Sequence, residues 1–403
     1  MKRLSNLVFR NFWTTVALGG AIGEWTLACW FLGAPAAAAV HLLAVAALTG
    51  LNRLAATAYE RERHADPLLH TVGGVTLAAC LVAAIGALAL GITAGGWFAV
   101  STLAALPAQA GALEPATAHR FGEPFRALAA LTIGTAMAVA TWGYTHGHRR
   151  LRLTRVDVPI GTLPPALDGL RIVHVTDLHL GPTAHREALR DALDRVNGLD
   201  PDLVCVTGDI VDSPATDMDH WLPELERLRA RHGVFAVLGN HDGRAGSDRV
   251  AVGLRTHTSW RVLRDEVAAV EIDGARLHLV GLDDRKAPAT AAMLPGLLAT
   301  VPPDEPCVLL VHQPVAFPTA AAAGIPLTLS GHTHGGQIAV PGLPGLNPAR
   351  LLMTRFDAGT FASGRSVLHV NCGLGTSGQR VRIAAPREIT VVTLLAPIAA
   401  AAA

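Results

Sequence analysis

Five short motifs in the C-terminal half place aspartate, asparagine or histidine directly after a run of apolar residues. In residues 203–212, LVCVTGDIVD, the apolar run passes through a glycine to Asp209 and then Asp212. The other four motifs are DLH at 177–179, GNHD at 239–242, the single His312 and GHTH at 331–334. Carboxylate, amide and imidazole groups are ligands that transition-metal ions accept. Because open α/β sheets carry their chemistry at the carboxyl ends of parallel strands, we expect a metal site at that edge.

The elements that must position these motifs alternate along the chain from about residue 151. We predict strands over 170–176, 203–207, 234–238, 308–311, 327–329, 366–370 and 388–395, and helices over 184–197, 220–231 and 249–257. Residues 267–272 and 276–280 alternate around Asp273-Gly274, which indicates a hairpin. Strands that alternate with helices indicate a parallel core, and the later strands indicate a second sheet.

Over about residues 168–396 the five motifs resemble those of the calcineurin-like metallophosphoesterase family. The resemblance implies a four-layer α/β/β/α sandwich with two metal ions at the sheet ends. It assigns the first metal to Asp177, His179, Asp209 and His334, and the second to Asp209, Asn240, His312 and His332. It also implies that a bridging hydroxide attacks phosphorus in line, that His241 assists the leaving group, and that Asp212 orients His241.

Elementary chemistry agrees with this ligand set. Hydrolysis of a phosphate ester needs an activated water and neutralised phosphoryl oxygens, and two metal ions that share a carboxylate supply both. Asn240 is a neutral ligand that limits the negative charge, and the adjacent His241 points away from it and is free to act as an acid. Mixed nitrogen and oxygen ligation suits Mn, Fe, Zn or Co, so the identity of the two ions stays open.

The longer run GHTHGGQI at 331–338, with GLD at 281–283 and GLGTSG at 373–378, resembles one branch of that family. The branch contains membrane-anchored bacterial phosphoesterases that act on lipid-linked pyrophosphates and phospholipids. Family members that dephosphorylate proteins carry an arginine directly after the GDxxD motif, where this chain has Ser213. The difference favours diesters or anhydrides as substrates. Arg244 either replaces the missing arginine or is a solvated side chain, and GLGTSG is either a phosphate-binding loop or a structural turn.

We therefore predict a phosphodiesterase or pyrophosphatase that acts on a lipid-linked substrate at the membrane. One alternative is an anchored nucleotide or cyclic-nucleotide phosphodiesterase, and another is a non-catalytic membrane protein that senses a ligand. The complete set of predicted ligands argues against the sensor. The expected partners are the lipid bilayer and a phosphorylated small molecule or lipid. A net charge of +1 gives no reason to expect nucleic-acid binding.

The N-terminal part is apolar, and it accounts for the high mean hydropathy of +0.36. Apolar runs cover 12–33, 36–57, 70–92 and 126–144, and each has about the ~20 residues that span a bilayer. Residues 96–113 form a doubtful fifth run that Pro107 interrupts. We predict a transmembrane helical domain over 1–147 and a catalytic domain over 148–403. The alternative for the first run is a cleaved signal peptide.

Basic residues predict the orientation of the spans. They cluster at Lys2, Arg3 and Arg10, at Arg61 and Arg63, and in the run from Arg149 to Arg155. Four spans place all three clusters, and with them the catalytic domain, on the cytoplasmic face of the cell membrane, whereas five spans would place the last cluster outside. We interpret the last cluster as a topology and headgroup-contact signal.

Three further features of the sequence each have more than one interpretation. Glu24 and His41 lie inside predicted spans, where they are either functional or form hydrogen bonds between helices. The five cysteines form no CxxC pair, which predicts buried thiols rather than disulfides. Residues 341–361 are either a lip that meets the membrane surface or a loop packed over the sheet edge. Their apolar side chains are Leu343, Leu346, Leu351, Leu352, Met353 and Phe356.

Overall fold

The computed structural model describes residues 12–32, 38–59, 67–105, 123–182, 184–285 and 287–397. The chain divides into two compact units, Met1–Thr145 and His146–Ala403. Each unit is described by itself. The basic residues at 2, 3, 10, 61 and 63 lie outside the described residues, and so does Pro107.

The described part of the N-terminal unit is helical. Its helices are α1 (Phe12–Leu32), α2 (Ala38–Tyr59), α3 (Pro67–Ala105) and α4 (Glu123–Thr145). Within the residues that the structure describes, three stretches are long and apolar enough to cross a membrane: Val40–Ala58, Val72–Gly96 and Pro124–Arg149. Helix α3 has 39 residues, about 58 Å, so the start of the doubtful fifth run continues the third run in one helix.

Polar side chains inside this unit connect neighbouring helices. The Asn52 amide on α2 donates to the Ala17 carbonyl at 3.2 Å and to the Glu24 carboxylate at 3.4 Å, both on α1. The Trp25 indole donates to His41 Nδ1 at 2.6 Å. In an apolar environment such bonds satisfy groups that lipid cannot. The contacts of Glu24 and His41 favour the structural alternative for both residues.

The C-terminal unit contains two six-stranded sheets. The strands are β1 (Leu151–Pro159), β2 (Arg171–Val175), β3 (Leu203–Thr207), β4 (Val234–Val237), β5 (Arg261–Val262), β6 (Glu266–Ile272), β7 (Ala275–Gly281), β8 (Cys307–Leu310), β9 (Leu327–Ser330), β10 (Gly359–Ser363), β11 (Ser366–Val370) and β12 (Arg387–Leu395). The helices are α5 (Arg186–Asn197), α6 (Met218–Leu225), α7 (Asn240–His257), α8 (Ala287–Leu298), α9 (Phe317–Ala322) and α10 (Pro348–Leu352). The first sheet has the order β1-β12-β2-β3-β4-β5, and the second has the order β10-β11-β9-β8-β7-β6.

The apolar core forms three layers of contact between these elements. Leu203, Cys205, Leu279 and Leu310 pack between the two sheets and are fully buried. Side chains of α5, α6 and α7 pack on the outer face of the first sheet. Side chains of α8 and α9 pack on the outer face of the second. The predicted four-layer α/β/β/α sandwich is confirmed.

The structure differs from the predicted elements at β1, α7 and α6, and it adds β5, β10, α8, α9 and α10, which were not predicted. The strand β1 pairs in parallel with β12 over nine residues, although we interpreted its arginines only as a topology signal. Helix α7 begins at Asn240 rather than at residue 249, and it bends at Gly246, whose φ of 99° is not helical. Helix α6 begins at Met218 because the Asp217 side chain accepts a hydrogen bond from the His220 N–H at 3.1 Å. Among the described side chains, Cys80, Cys205, Cys307 and Cys372 are buried, and the last three are free thiols.

The core between the two sheets supplies a stability prediction. Leu279→Ala removes a fully buried side chain and should lower the free energy of unfolding by about 2–5 kcal/mol, because the packed strands cannot collapse into the cavity. Val252→Ala is the control, since that side chain is 60% exposed on α7. Thermal unfolding of the full chain in detergent should show a lower midpoint for Leu279→Ala only.

Candidate metal centre

Both sheets bring predicted ligands to one place. Strand β2 leads to Asp177 and His179, strand β3 leads to Asp209, and Asn240 is the first residue of α7 after β4. From the second sheet, β8 leads to His312 and β9 leads to His332 and His334. The side chains of six predicted ligands fall into groups in which candidate ligand atoms lie within 4.8 Å of one another.

One group forms around His179. Its Nε2 lies 3.0 Å from His334 Nε2, 3.8 Å from Asp177 Oδ1 and 3.7 Å from Asp209 Oδ2. His334 Nε2 lies 3.3 Å from Asp177 Oδ1. All four side chains are buried.

The other group forms around His312. Its Nε2 lies 3.1 Å from Asp209 Oδ2 and 3.3 Å from His332 Nδ1. The same Asp209 oxygen therefore lies close to both groups, as a shared ligand requires. The other oxygen, Oδ1, accepts the His241 backbone N–H at 2.7 Å, which fixes the direction of the carboxylate.

Buried atoms at this place lack the partners that protein interiors normally supply. Asp177 Oδ1 and Asn240 Oδ1 are buried without a hydrogen-bond partner in the described part of the chain. His179 Nε2 and His334 Nε2 lie 3.0 Å apart, and two imidazole nitrogens this close must share either a proton or a cation. A divalent cation satisfies a carboxylate oxygen, an amide oxygen and imidazole nitrogens together. The residues present thus fit a metal.

Hydrogen bonds behind the ligands determine which nitrogen faces the centre. His312 Nδ1 donates to the Thr207 carbonyl at 2.7 Å, and His179 Nδ1 donates to Asp212 Oδ1 at 2.9 Å. Both bonds leave Nε2 available as the ligand atom. Such second contacts fix ring orientation and raise ligand basicity in metal sites.

The buried carboxylates make the centre strongly negative. Burial opposes ionisation of Asp177, but the neighbouring His334 and His179 outweigh it and hold the pKa of that carboxyl well below its usual value. Burial likewise lowers the pKa of His179, but hydrogen bonds to Asp177 and Asp212 outweigh it and raise that pKa to about 10. A histidine that keeps its proton beside carboxylates indicates a site that attracts positive charge. A divalent metal ion would bring more positive charge to the same place.

Asp212 and His241 make contacts that refine the predicted roles. The backbone carbonyl of Asp212 accepts the His241 Nδ1–H at 2.6 Å, while its carboxylate lies 3.6 Å away and holds His179 instead. Asp212 therefore positions two imidazoles at once. On the other side of the ring, Arg244 Nη1 lies 3.2 Å from His241 Nε2.

Several ligands have a backbone conformation that most residues avoid. Positive φ angles, between 46° and 74°, occur at Asp177, His179, Asp209, His332 and His334. This left-handed region costs about 1–2 kcal/mol per residue for a side chain with a Cβ. Strain concentrated in five predicted ligands is typical of a functional site.

Glycines allow the carboxylates to come this close to the backbone. A Cβ at Gly239 would lie 2.3 Å from Asp209 Oδ1, and a Cβ at Gly331 would lie 2.2 Å from Asp177 Oδ2. The GLGTSG loop packs on Asp177 in the same way, because a Cβ at Gly373 would lie 2.7 Å from the Asp177 Cβ. The N–H groups of Leu374 and Gly375 donate to the carbonyls of Thr176 and Asp177, which favours the structural turn.

Two buried residues at the centre had no predicted role. The Asp242 carboxylate accepts the N–H groups of Gly239, Ile210 and Val211 at 2.9–3.0 Å and so ties the GNHD and GDIVD loops together. It lies inside a quoted motif, so the signal was present. Arg382 is buried, donates to several carbonyls of the GLGTSG region and lies 3.2 Å from His334 Nδ1. It is 48 residues from that histidine, and no local pattern indicates it.

Comparison with known proteins agrees with this geometry. The family model for calcineurin-like phosphoesterases matches residues 170–336. The Bacillus subtilis (strain 168) protein YkuE, described as an uncharacterised metallophosphoesterase, is 32% identical over 276 residues, which cover 66% of this chain and 93% of that protein. The chain belongs to the calcineurin-like metallophosphoesterase family. Its metallophosphoesterase domain, the C-terminal unit, is by class a metal-dependent hydrolase of phosphate esters.

Two other relatives differ in how much of their own length the match covers. A Bos taurus "transmembrane protein with metallophosphoesterase domain" is 32% identical over 281 residues, which are 66% of this chain and 62% of that protein. An uncharacterised metallophosphoesterase of Aquifex aeolicus is 32% identical over 266 residues and matches over 97% of its length. The chain thus spans less than two thirds of the bovine relative, and the activity of the whole protein is a proposal.

The close approach at Gly239 gives a prediction about metal binding. Gly239→Ala should weaken Mn²⁺ binding because the new Cβ displaces the Asp209 carboxylate. Mn²⁺ at 100 times its dissociation constant should stabilise the wild type by about 2.7 kcal/mol, seen as a higher thermal midpoint. Gly296→Ala is the matched control, since nothing lies within 4 Å of its Cβ. An unchanged Mn²⁺-dependent shift in Gly239→Ala would contradict the assignment of Asp209.

Proposed function

We propose that the metallophosphoesterase domain binds two divalent ions and hydrolyses a phosphodiester or pyrophosphate bond in a lipid-linked substrate at the membrane. The observation that carries the two-ion part is the position of Asp209 Oδ2, 3.1 Å from His312 Nε2 and 3.7 Å from His179 Nε2. The first ion would be held by Asp177, His179, Asp209 and His334, and the second by Asp209, Asn240, His312 and His332.

The residues around the ions have separate tasks. When bound, two such ions lower the pKa of water and neutralise phosphoryl oxygens. His241 keeps one proton on Nδ1, bonded to the Asp212 carbonyl, so Nε2 is the nitrogen that exchanges a proton with the leaving oxygen. Burial lowers the pKa of His241, and the nearby His179 lowers it further. A lowered pKa makes the protonated imidazole a stronger acid, and Nε2 must take up a proton from water before it can give one to the leaving oxygen.

The charge beside His241 favours a diester or an anhydride over a monoester. A monoester presents a dianion, which related protein phosphatases bind with the arginine that Ser213 replaces here. Arg244, 3.2 Å from His241 Nε2, brings one guanidinium to the same place. It also lines a cavity of about 300 Å³ next to Asn240. One cation suits the single negative charge of a diester phosphate.

An exposed apolar segment supports a substrate in the bilayer. We name residues 340–353 the apolar lip, because Leu343, Leu346, Leu351, Leu352 and Met353 are exposed along it. It follows the GHTHGGQI motif directly. Exposed apolar patches of this kind mark binding sites for proteins or lipid surfaces. The described part of the chain also contains three stretches that could cross a membrane, so we propose the bilayer as the surface that the lip meets.

One residue predicted to be part of the lip is not. Phe356 is buried against Phe317 and Phe361, with ring centroids 5.7 Å and 5.2 Å away. Arg355 lies over the Phe356 ring at 4.7 Å, and Arg350 pairs with Asp357 at 3.0 Å. The segment after residue 353 therefore packs on the second sheet. The prediction of an exposed Phe356 is wrong, because the aromatic cluster it completes comes from distant parts of the chain.

We further propose a multi-pass protein in the cell membrane with the metallophosphoesterase domain on the cytoplasmic face. The argument is the positive charge that follows α4, at Arg149, Arg150, Arg152 and Arg155. The branch of membrane-anchored bacterial enzymes that GHTHGGQI resembles supports the same arrangement.

Turnover of a chromogenic diester tests the proposed chemistry. Wild type with Mn²⁺ should hydrolyse bis-p-nitrophenyl phosphate, and Asp209→Asn should lose both metal binding and turnover. His241→Asn should keep Mn²⁺ binding and lower kcat by about 10²–10⁴ on a dialkyl phosphodiester, whose leaving alkoxide needs a proton, but much less on bis-p-nitrophenyl phosphate, whose leaving phenolate does not. Metal binding without turnover in the wild type would favour a sensor. Preference for nucleotides over lipids would favour the anchored nucleotide phosphodiesterase, and a lipid that accumulates with Asp209→Asn would identify the substrate.

The apolar lip predicts a difference between substrates. Leu351→Ser combined with Leu352→Ser should reduce turnover of a phospholipid in vesicles by about thirtyfold, because each exposed leucine contributes roughly 1 kcal/mol of burial in lipid. Turnover of soluble bis-p-nitrophenyl phosphate should stay at the wild-type level. Val252→Ser, at an exposed apolar position on α7, is the control. Equal loss on both substrates would remove the lip from the proposal.

A further inference from the structure

A second cavity, of about 340 Å³, adjoins the candidate metal centre within the C-terminal unit. Its walls come from the segment before β1, the loop after β2, the start of α5 and the GLGTSG loop. His179, a predicted metal ligand, contributes to the wall. A molecule held in this cavity therefore lies next to the site where a phosphoryl group would bind.

Basic side chains dominate the charge of the cavity. Its cationic or titratable basic residues are His148, Arg149, His185, Arg380 and Arg387, and its acidic residues are Glu187 and Asp191. Asp191 is already paired with Arg195 at 3.0 Å. Arg387 donates to the carbonyls of Leu374 at 2.6 Å and Ala188 at 3.1 Å, which hold its direction without cancelling its charge.

Two further features of the cavity favour an anion. His148 Nδ1 is buried and has no hydrogen-bond partner within the described residues. Helix α5, with 12 residues, begins at the cavity, and its N-cap residue His185 makes no side-chain bond to the first turn. The dipole at the N-terminus of a helix attracts negative charge.

The cavity also explains part of the basic run that follows α4. Arg152, inside strand β1, pairs with the buried Glu388 at 3.0 Å and so belongs to the fold. Arg149 instead lines the cavity beside Arg380. The basic run is therefore more than a topology signal, because Arg152 belongs to the fold and Arg149 lines the cavity.

We propose that this cavity binds a second anionic group of the substrate, a phosphate joined by a short linker to the phosphoryl group that is hydrolysed. The inference rests on the proposed function and narrows its substrate class to molecules with two phosphate groups. Leu178, Leu180 and Leu189 give the same cavity an apolar wall for the linker. Arginine suits this task because its planar donors match phosphate oxygens.

A matched pair of probes tests the cavity in the full chain with Mn²⁺. Both are p-nitrophenyl alkyl phosphodiesters, one ending in a hydroxyl and the other in a phosphate monoester. Wild type should have a kcat/KM at least about tenfold higher for the phosphate-ended probe. Arg149→Gln combined with Arg380→Gln should remove that preference, mainly through KM. Arg276→Gln, on β7 in the second sheet, is the control that should keep it.

The outcomes separate the cavity from the proposed function. If wild type hydrolyses both probes equally, or if the double variant keeps the preference, the cavity proposal is overturned while the hydrolase proposal stands. If neither probe is hydrolysed, equilibrium dialysis of the phosphate-ended probe decides. Binding that the double variant loses supports the cavity and overturns the hydrolase, and equal binding by both proteins overturns the cavity as well.

Discussion

The structure of the C-terminal unit depends on negative charge buried where its two sheets meet. Asp177 and Asp209 are almost completely removed from water, and a buried carboxylate is costly unless hydrogen bonds and positive charge surround it. Asp177 Oδ2 accepts the Thr176 hydroxyl at 2.8 Å and the His332 N–H at 3.0 Å. Asp209 Oδ1 accepts the His241 backbone N–H, and the other two oxygens, Asp177 Oδ1 and Asp209 Oδ2, face imidazoles. Everything close to the centre acts to keep these two carboxylates ionised and fixed.

The backbone adopts unusual geometry for the same purpose. Positive φ at five predicted ligands turns their side chains inward directly after each strand. Glycines at 208, 239, 331 and 373 leave room for carboxylates and rings that a Cβ would displace. This geometry is unfavourable locally, and the packed sheets on either side hold it. The strained backbone at the centre lowers the stability of the unit, and the packing of the core compensates for it.

The surfaces around the metal centre are the basis for the proposed class of substrate. Arg244 brings one positive charge next to His241, and the 340 Å³ cavity brings several more on the other side. The apolar lip adds exposed apolar side chains, whose removal from water would be favourable. The proposal of a phosphorylated amphiphile rather than a free nucleotide rests on this combination of basic and apolar surface.

The sequence by itself indicated most of the strands, the parallel core and the candidate ligands, because those signals are local. An apolar run followed by Asp177, Asp209 or His312 is visible in ten residues. Only the tertiary structure decided that β1 joins the first sheet, that Arg382 reaches His334, that Asp212 positions His179, and that Phe356 is buried. Each of those depends on contacts between residues far apart in the chain or between a side chain and one particular backbone turn. A periodic pattern carries no information about such contacts, since packing selects them only after the sheets have assembled.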